Sequence, residues 1–456
     1  MHRYATPGNF GITALPIQSY RFRNIQKRNQ LGSVEAQEPA ILAKNKQKAM
    51  KILIVHQNFP GQFKHLLPEL LKDPGNEVVV FTMNSFEASH ANVRVVRYRA
   101  AKSTGKDVHP WVAEMETKVI RGEAAFRAAL SLRDEGYCPD LILAHPGWGE
   151  SLFLKNVWPR TKMVIYCEFH YATEGQDVGF DPEFPPPETG DACRVQMKNV
   201  NNWLHFEIAD AGVSPTEWQK STFPEPFRSK IRVVHDGIDT DVVKPNSEVT
   251  VQVGPHRLTR DDEVITFVNR NMEPYRGYHT FMRALPKILK ARPQARVLIA
   301  GGDGVSYGKK PPVGQTWKQI FLDEVKDQID LTRVHFIGNI NHEHFIAMLQ
   351  LSRVHVYLTY PFVLSWSLLE AMACGCAIVA SDTEPLKEAI FDGKTGLLTD
   401  FFSADQLADQ TIRLLEDAEI RQKLGTQARN FAVEHYDLRR VCLPKMMEVL
   451  QKTMQV

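Results

Sequence analysis

From Met50 onward, short apolar runs alternate with longer stretches of helical spacing. Lys51–His56 is an apolar run of strand length, and Phe63–Leu71 beyond Gly61 carries apolar residues at helical intervals. Glu77–Met83, Val93–Tyr98, Asp140–His145 and Lys162–Phe169 predict further strands, and Trp111–Glu135 and Val195–Ala211 predict helices. Ile231–Val234 reads as another strand, closed by the turn His235-Asp-Gly-Ile-Asp239. Strands separated by helices imply parallel pairing through right-handed crossovers. The Pro-rich stretch Asp181–Glu188 interrupts this pattern and predicts a surface loop.

The alternation then restarts. Residues 241–261 lack clean periodicity and read as a linker. Val264–Asn269, Ala295–Ala300, Val334–Ile340, Val354–Thr359, Ala377–Ser381 and Gly396–Leu398 predict strands, and Tyr278–Arg292 a helix stopped by Pro293. The chain ends in polar–apolar helices from Ala404 to Val456. The expected fold class is α/β: two facing, Rossmann-like, doubly wound parallel-sheet domains over 50–240 and 262–435, with 436–456 a helix crossing back to the first. Ligands of such sheets bind beyond the strand carboxyl ends, so the site is expected in the interdomain cleft.

Composition narrows the function. The 456 residues carry 55 Lys+Arg against 53 Asp+Glu, a net +2, which excludes nucleic-acid binding by bulk basicity. That near-neutral total is uneven. Residues 1–49 hold eight Lys or Arg and two Glu, a local +6, leaving −4 for the other 407. This arm is expected to be a disordered extension, with Met50-Lys-Ile-Leu-Ile-Val55 resembling a natural start. Its cluster Arg21–Arg28 has the charge to lie on anionic lipid. The six cysteines lack Cys-x-x-Cys spacing, so neither a zinc site nor a disulfide framework is expected, and a cytoplasmic setting is. Cys374 and Cys376, in an apolar run, are expected to be buried thiols.

Four loop segments of the second half stand at strand ends. Asn269–Gly277 places Arg270 and Arg276 on one strand-to-helix loop, where two guanidinium groups converge on a phosphate pair or stand as a solvated surface pair. Gly301-Gly302-Asp303-Gly304 follows an apolar strand and allows close approach of backbone to a ligand, or is an ordinary tight turn. Tyr360–Gly375 starts a helix near Ser365 or Trp366, whose free N–H groups and dipole form an anion site. Glu370 then lies one turn in, placed to accept hydrogen bonds from ribose hydroxyls, or is a structural acceptor in a core helix. Ser381–Glu388, with Asp392-Gly-Lys-Thr-Gly396 after it, is a strand-to-helix loop.

In this order the segments resemble the retaining glycosyltransferases of family 4, which have the GT-B fold. The resemblance runs from about residue 50 to 435 and is strongest over Leu368–Ser381 and the downstream Gly393-Lys-Thr-Gly-Leu-Leu398; Val233–Asp239 and Ser214-Pro-Thr216 support it. It implies that Arg270 and Arg276 hold the donor diphosphate, with Arg276 standing where the family usually has Lys. Glu370 matches the second Glu of the family's Glu-x7-Glu motif, expected at the nucleotide ribose. Phe362 stands where the first Glu belongs, which is the main departure. Leu364, Ser365, Trp366 and Ser367 match the stretch that meets the β-phosphate, and Gly302 and Asp303 belong to the nucleotide-side turn. Gly61, in Asn58-Phe-Pro-Gly-Gln62, resembles the acceptor loop. A His beyond a strand contacts the donor sugar in relatives; His170 is the first choice and Glu168 the second, and His145–Glu150 follows another strand.

The implied reaction moves a sugar, with retention, from a nucleoside diphosphate to a glycan or lipid-linked acceptor hydroxyl, in polysaccharide or glycoconjugate assembly. No cofactor and no metal are expected, no nucleic-acid partner, and a cytoplasmic place with peripheral contact at the inner face of the membrane. Phe362 leaves a non-catalytic sugar-nucleotide-binding protein open at this point, and the fold leaves open a sugar-nucleotide epimerase or an inverting transferase.

Overall fold

A computed structural model describes residues 49–185 and 190–455. The basic cluster Arg21–Arg28 and residues 186–189 of the Pro-rich stretch lie outside the described residues. Two parallel sheets organise the chain. The first joins β1 (Lys51–Val55), β2 (Glu77–Thr82), β3 (Val93–Arg97), β4 (Leu141–Ala144), β5 (Lys162–Tyr166), β6 (Ala211–Ser214) and β7 (Ile231–Val233) in the order β3-β2-β1-β4-β5-β6-β7. A two-stranded hairpin follows, β8 (Val251–Val253) with β9 (His256–Leu258). The second sheet joins β10 (Val264–Asn271), β11 (Arg296–Gly302), β12 (Val334–Gly338), β13 (Val354–Tyr357), β14 (Ala377–Ser381) and β15 (Leu397–Thr399) in the order β12-β11-β10-β13-β14-β15. Both orders reverse direction once, between β1 and β4 and between β10 and β13. A crevice opens beyond the strand carboxyl ends at such a switch point.

Burial on both faces explains the apolar runs. In β1, Leu53 and Val55 face one helical layer while Ile52 and Ile54 face the other. The second sheet divides likewise, with Phe267 and Val356 on one side and Ile378 and Ala380 on the other. The last helix, Leu443–Gln455, buries Val449 and Leu450 in the cluster that holds Ile52 and Ile54 of the first sheet. Cys374 and Cys376 are buried, and the six cysteines are free.

Three expectations change. The helix set at Val195–Ala211 runs instead from Asp191 to Ile208, and Ala211 opens β6. Asp210 forces the break: its carboxylate accepts the Met163 N–H at 2.8 Å and faces the ammonium groups of Lys155 and Lys162. The stretch 241–261 is not plain linker, because it carries the β8–β9 hairpin, turned at Gly254 with φ +55°. The Pro-rich stretch is not confined to the surface. Asp181 is buried, accepting the Tyr360 hydroxyl at 2.8 Å and lying 3.2 Å from His279 Nε2, and Phe184 packs on Trp317 and Phe321. Glu183 meets Arg283 through two hydrogen bonds of 2.7 and 2.8 Å. A loop of the first half is thereby docked on the second.

More contacts span the halves. The Glu388 carboxylate accepts the N–H groups of Glu217 and Trp218 at the start of a helix in the first half. The Trp218 indole donates to the Phe362 carbonyl at 2.7 Å, and Tyr275 donates to Asp177 at 2.9 Å. Asp236 accepts from Tyr166 beside it and from the Trp366 indole of the second half, each at 2.9 Å.

Two predictions follow from this packing. In the helix Ala418–Tyr436, a Cβ at Gly425 would stand 2.3 Å from the Gly375 carbonyl oxygen, which is backbone and cannot swing away. Gly425→Ala is therefore expected to cost about 1–3 kcal/mol in chemical denaturation, whereas alanine at exposed Gln422 changes little. Burial raises the Asp236 carboxyl from an ordinary 3.8 to about 7, against the opposing pull of Tyr166 and Trp366. A folded pKa above the unfolded one means that the folded chain keeps a proton the unfolded chain has lost. Wild-type stability therefore falls between pH 4 and 7 through this group, and the full cost is present above that window. Asp236→Asn keeps an acceptor without the charge. Its melting temperature minus that of wild type should rise from pH 4 to 7 and then level off; a flat difference would refute the shift.

Candidate active site

The switch point of the second sheet carries the cationic groups. β10 runs two residues further than expected, so Arg270 stands at the end of the strand and not on the loop; beyond Asn271 the chain turns through a short 3-10 segment, Pro274–Arg276, to Gly277, which has φ +67°. A Cβ at Gly277 would stand 2.3 Å from the Leu358 side chain, so this turn closes against the end of β13 only without one. The turn buries Arg276. Its guanidinium donates to Thr359 Oγ1 at 2.7 Å and to the Tyr357 hydroxyl at 3.4 Å, and lies 5.1 Å from the centre of the Tyr307 ring. Among the described residues no carboxylate comes within ion-pair distance of Arg276 or of exposed Arg270. Both arginines line a cavity of about 280 Å³ with Asn269, Glu273, Tyr307, Ser365 and Ser367.

Ser365 is the N-cap of the helix Trp366–Ala373, its hydroxyl accepting the Ser367 N–H at 3.3 Å. The start of this helix thus opens into the same cavity as the two arginines, with its partial positive charge toward the space between them. Leu364 and Trp366 take other directions. Leu364 is buried in the core, and Trp366 reaches across to Asp236. Glu370 lies one turn along the helix and accepts from His342 Nε2 at 2.5 Å.

The glycine-rich turn contributes differently from the sequence expectation. Gly302 and Asp303 do not line the cavity; the Asp303 carboxylate faces Lys318 Nζ at 3.4 Å. Gly302 is needed because a Cβ there would meet Asn271 Oδ1 at 2.7 Å. The residue of this loop that lines the cavity is Tyr307, and buried Glu273 holds it there. The Glu273 carboxylate accepts the backbone N–H groups of Ser306, Tyr307 and Gly308 at 3.1–3.3 Å. Sequence reasoning did not single out Glu273 or Tyr307, because their partners lie more than 30 residues away; Glu273, sitting between two arginines in an otherwise apolar loop, was the available signal.

The switch point of the first sheet faces this cavity from the other side. A second cavity, of about 460 Å³, is lined by Lys118, Arg121, His145, Glu168, Lys198 and, from the second half, Tyr307. Tyr307 thus belongs to both cavities. His145 follows β4, and its Nδ1 accepts the Gly147 N–H at 3.2 Å, which leaves the proton of the neutral ring on Nε2. That Nε2 has no hydrogen-bond partner and lies 3.8 Å from Glu168 Oε2. Burial lowers the His145 pKa to about 3, so the ring is a neutral donor over the physiological range. Desolvation in the cleft raises the Glu168 carboxyl, with Lys198 and then Arg270 pulling the other way, although 43% of its side chain reaches water.

Of the two first-half candidates, Glu168 faces the cleft and His170 does not. His170 packs between Trp203 and Phe223 and lines neither cavity, because the chain turns after Glu168 and sends the next polar side chain into the helical layer. Gly61 also lies outside both cavities; with φ +45°, it closes on the His56 ring, which a Cβ would meet at 2.3 Å. Phe362 is buried among Phe169, Tyr171, Tyr275 and Tyr307, with ring centres 4.8–6.3 Å apart. It packs the two halves together where the family motif has a carboxylate. Among the described residues no group of three or more His, Cys, Asp or Glu side chains could hold a metal ion, and no helix is long and apolar enough to cross a membrane.

Comparison with known proteins agrees with this geometry. Residues 74–243 match the glycosyl transferase family 4 group, and residues 252–431 match glycosyl transferases group 1. The chain is 34% identical over 379 residues to an uncharacterized glycosyltransferase of Methanocaldococcus jannaschii, covering 81% of this chain and 88% of that protein. It is 24% identical over 421 residues to a glycogen synthase of Mycobacterium tuberculosis, covering 85% and 91%. The Anabaena HepE structure in complex with UDP-glucose superposes with a TM-score of 0.60 at 17% identity, covering 88% of this chain and all of that one. The two facing sheets form a GT-B fold, and the chain belongs to the group 1 and family 4 glycosyltransferases, enzymes that act on nucleoside-diphosphate-sugar donors.

Proposed function

We propose that the smaller cavity takes the donor diphosphate, the larger one the acceptor, and that the sugar is transferred with retention between them at Tyr307. The observation that carries this reading is the convergence of Arg270, Arg276 and the Ser365 helix start on one cavity, with neither arginine within ion-pair distance of a carboxylate among the described residues and with the Glu273 carboxylate on the same wall taken up by backbone N–H groups. As the glycosidic bond to the diphosphate breaks, negative charge gathers on the leaving oxygens and the sugar becomes oxocarbenium-like. Preorganised donors in a cleft shielded from water stabilise that charge, each contributing roughly 3 kcal/mol. Two guanidinium groups, that of Arg276 held by Thr359 and Tyr357, and a helix start supply what a divalent ion supplies elsewhere, so we read the reaction as metal-independent.

Glu370, steadied by His342, takes the ribose hydroxyls. Glu168 approaches the donor sugar from the first half, providing a carboxylate where Phe362 has replaced one. Neutral His145 donates from Nε2 beside it. No side chain stands out as a nucleophile, which favours attack by the acceptor hydroxyl on the face the diphosphate leaves. Lys118, Arg121 and Lys198, set among the carboxylates of Glu114 and Glu168, give the acceptor cavity a charged, hydrogen-bonding wall suited to a polar, sugar-like acceptor. UDP-glucose, the ligand of the Anabaena structure, is the first donor to test.

Arg270→Ala should lower turnover by at least about 100-fold, the order of one lost transition-state donor, with the melting temperature unchanged because its side chain is exposed. Wild-type turnover in that variant would refute the diphosphate assignment. Activity should survive excess EDTA; complete loss restored by Mg²⁺ would refute the metal-independent reading.

A further inference from the structure

A cavity of about 480 Å³ lies at the opposite edge of the second sheet from the cleft. Four arginines line it. Arg260 comes from the segment after β9, Arg353 stands just before β13, and Arg421 and Arg429 project from the helix Ala418–Tyr436. Ser352, Gly375 and Ala377 place it at the amino ends of β13 and β14, whereas Arg276 and Ser365 sit beyond the carboxyl ends of the strands. The 14 lining residues include no Asp or Glu.

Structural duties account for part of this cluster only. Arg421 donates to the Leu414 and Leu415 carbonyls, Arg429 to those of Ala373, Val243 and Thr240, and Arg353 to that of Asp262. Carbonyl contacts leave the charge unneutralised, and among the described residues none of the four forms an ion pair. The nearby acids are occupied elsewhere: Glu263 with Arg292, Asp241 with Arg439 and Arg440, and Asp417 as cap of the helix through the Ile420 N–H. The Arg260 guanidinium has no hydrogen-bond or ion-pair partner among the described residues, so no structural duty explains its presence at the cavity. Burial holds the Arg421 pKa below its usual value; the charge of Arg353 and, least of all, that of Arg260 add to the effect, while Glu263 and Asp417 pull the other way. Four like charges around one cavity favour a multivalent anion, which relieves their repulsion and accepts forked N–H pairs.

We propose that this cavity is a second ligand site, separate from the transfer site, that binds the phosphate or diphosphate group of a small phosphorylated metabolite between Arg260, Arg353, Arg421 and Arg429. Its walls belong to the elements that join the halves. Pro245 and Arg260 flank the hairpin segment, and the helix Ala418–Tyr436 leads through Leu438–Cys442 into the helix packed on the first sheet. Occupancy therefore braces the connection between the halves, the placement of a modulator of activity and not of a substrate.

The test is calorimetric titration of the full chain with inorganic pyrophosphate, paired with hydrogen exchange over residues 418–430. Wild type should show two sites, one here and one in the cleft, and slower exchange at 418–430. Arg260→Gln, which breaks no internal bond, should weaken one site by at least about tenfold and abolish the exchange response while leaving the cleft site intact. Arg270→Ala should do the reverse, losing the cleft site and keeping the response at 418–430. Failure of the Arg270→Ala arm alone would count against the diphosphate assignment in the cleft and not against this site. Unchanged binding at both sites in Arg260→Gln, or no exchange response at 418–430 in wild type, would overturn the proposal.

Discussion

The charge of Arg276 is the constraint around which the second half is arranged. A buried guanidinium without a carboxylate partner costs several kcal/mol in desolvation, and here the groups in direct contact with it are neutral, while the Glu273 carboxylate acts on it only from beyond ion-pair distance. Thr359 and Tyr357 accept from it, and the rings of Tyr307 and Tyr275 lie 5.1 and 5.9 Å away. Each of these depends on another element. Gly277 closes the turn against Leu358, Thr359 and Tyr357 come from the end of β13, and Glu273 draws the loop 306–308 inward so that Tyr307 meets the guanidinium. A true counter-ion would be easy to build into such a site. Its absence is what the proposed diphosphate site requires, since the ligand would bring its own negative charge.

The same economy explains how the halves meet. The first half supplies Asp236, Asp177 and Asp181 to donors on the second, and the second supplies Glu388 to the helix start at Glu217. These are hydrogen bonds to neutral donors, with the Arg283–Glu183 pair as a charged exception. They hold a cleft without spending its arginines. Phe362 fits this pattern, because its ring fills the aromatic seam between the halves while its carbonyl takes the Trp218 indole. At that position Phe362 provides packing where the family motif has a carboxylate, and Glu168 lines the cleft from the first half.

Much of this was legible in the sequence because it depends on local spacing. Strands such as Ala377–Ser381 are buried on both faces and so read as unbroken apolar runs. The helix start at Ser365 is set by neighbours a few residues away, and the two arginines show in the sequence as a pair six residues apart at a strand end, although the groups that hold Arg276 lie more than 80 residues on. What sequence did not reveal depends on distant partners. Glu273 matters through Ser306–Gly308, Asp236 through Trp366, and His342 through Glu370. The choice between His170 and Glu168 turned on where the chain leaves extended geometry: residues two apart in a strand share a face, but beyond the end of β5 the chain turns after Glu168 and sends His170 into the helical layer. The short β6 was hidden because Ala-Gly-Val-Ser carries too little apolar signal beside an 18-residue helix.

The central claim is that fixed arginines and a helix start, rather than a metal ion, hold the second phosphate of the donor nucleotide. The most direct measurement titrates the nucleoside diphosphate released in a donor screen, and its monophosphate, into wild type and Arg276→Gln in the presence of EDTA. The claim predicts that wild type binds the diphosphate at least about 100-fold more tightly than the monophosphate, and that Arg276→Gln loses most of that preference. Equal affinities for the two nucleotides in wild type, or a preference that appears only when Mg²⁺ is added, would contradict it.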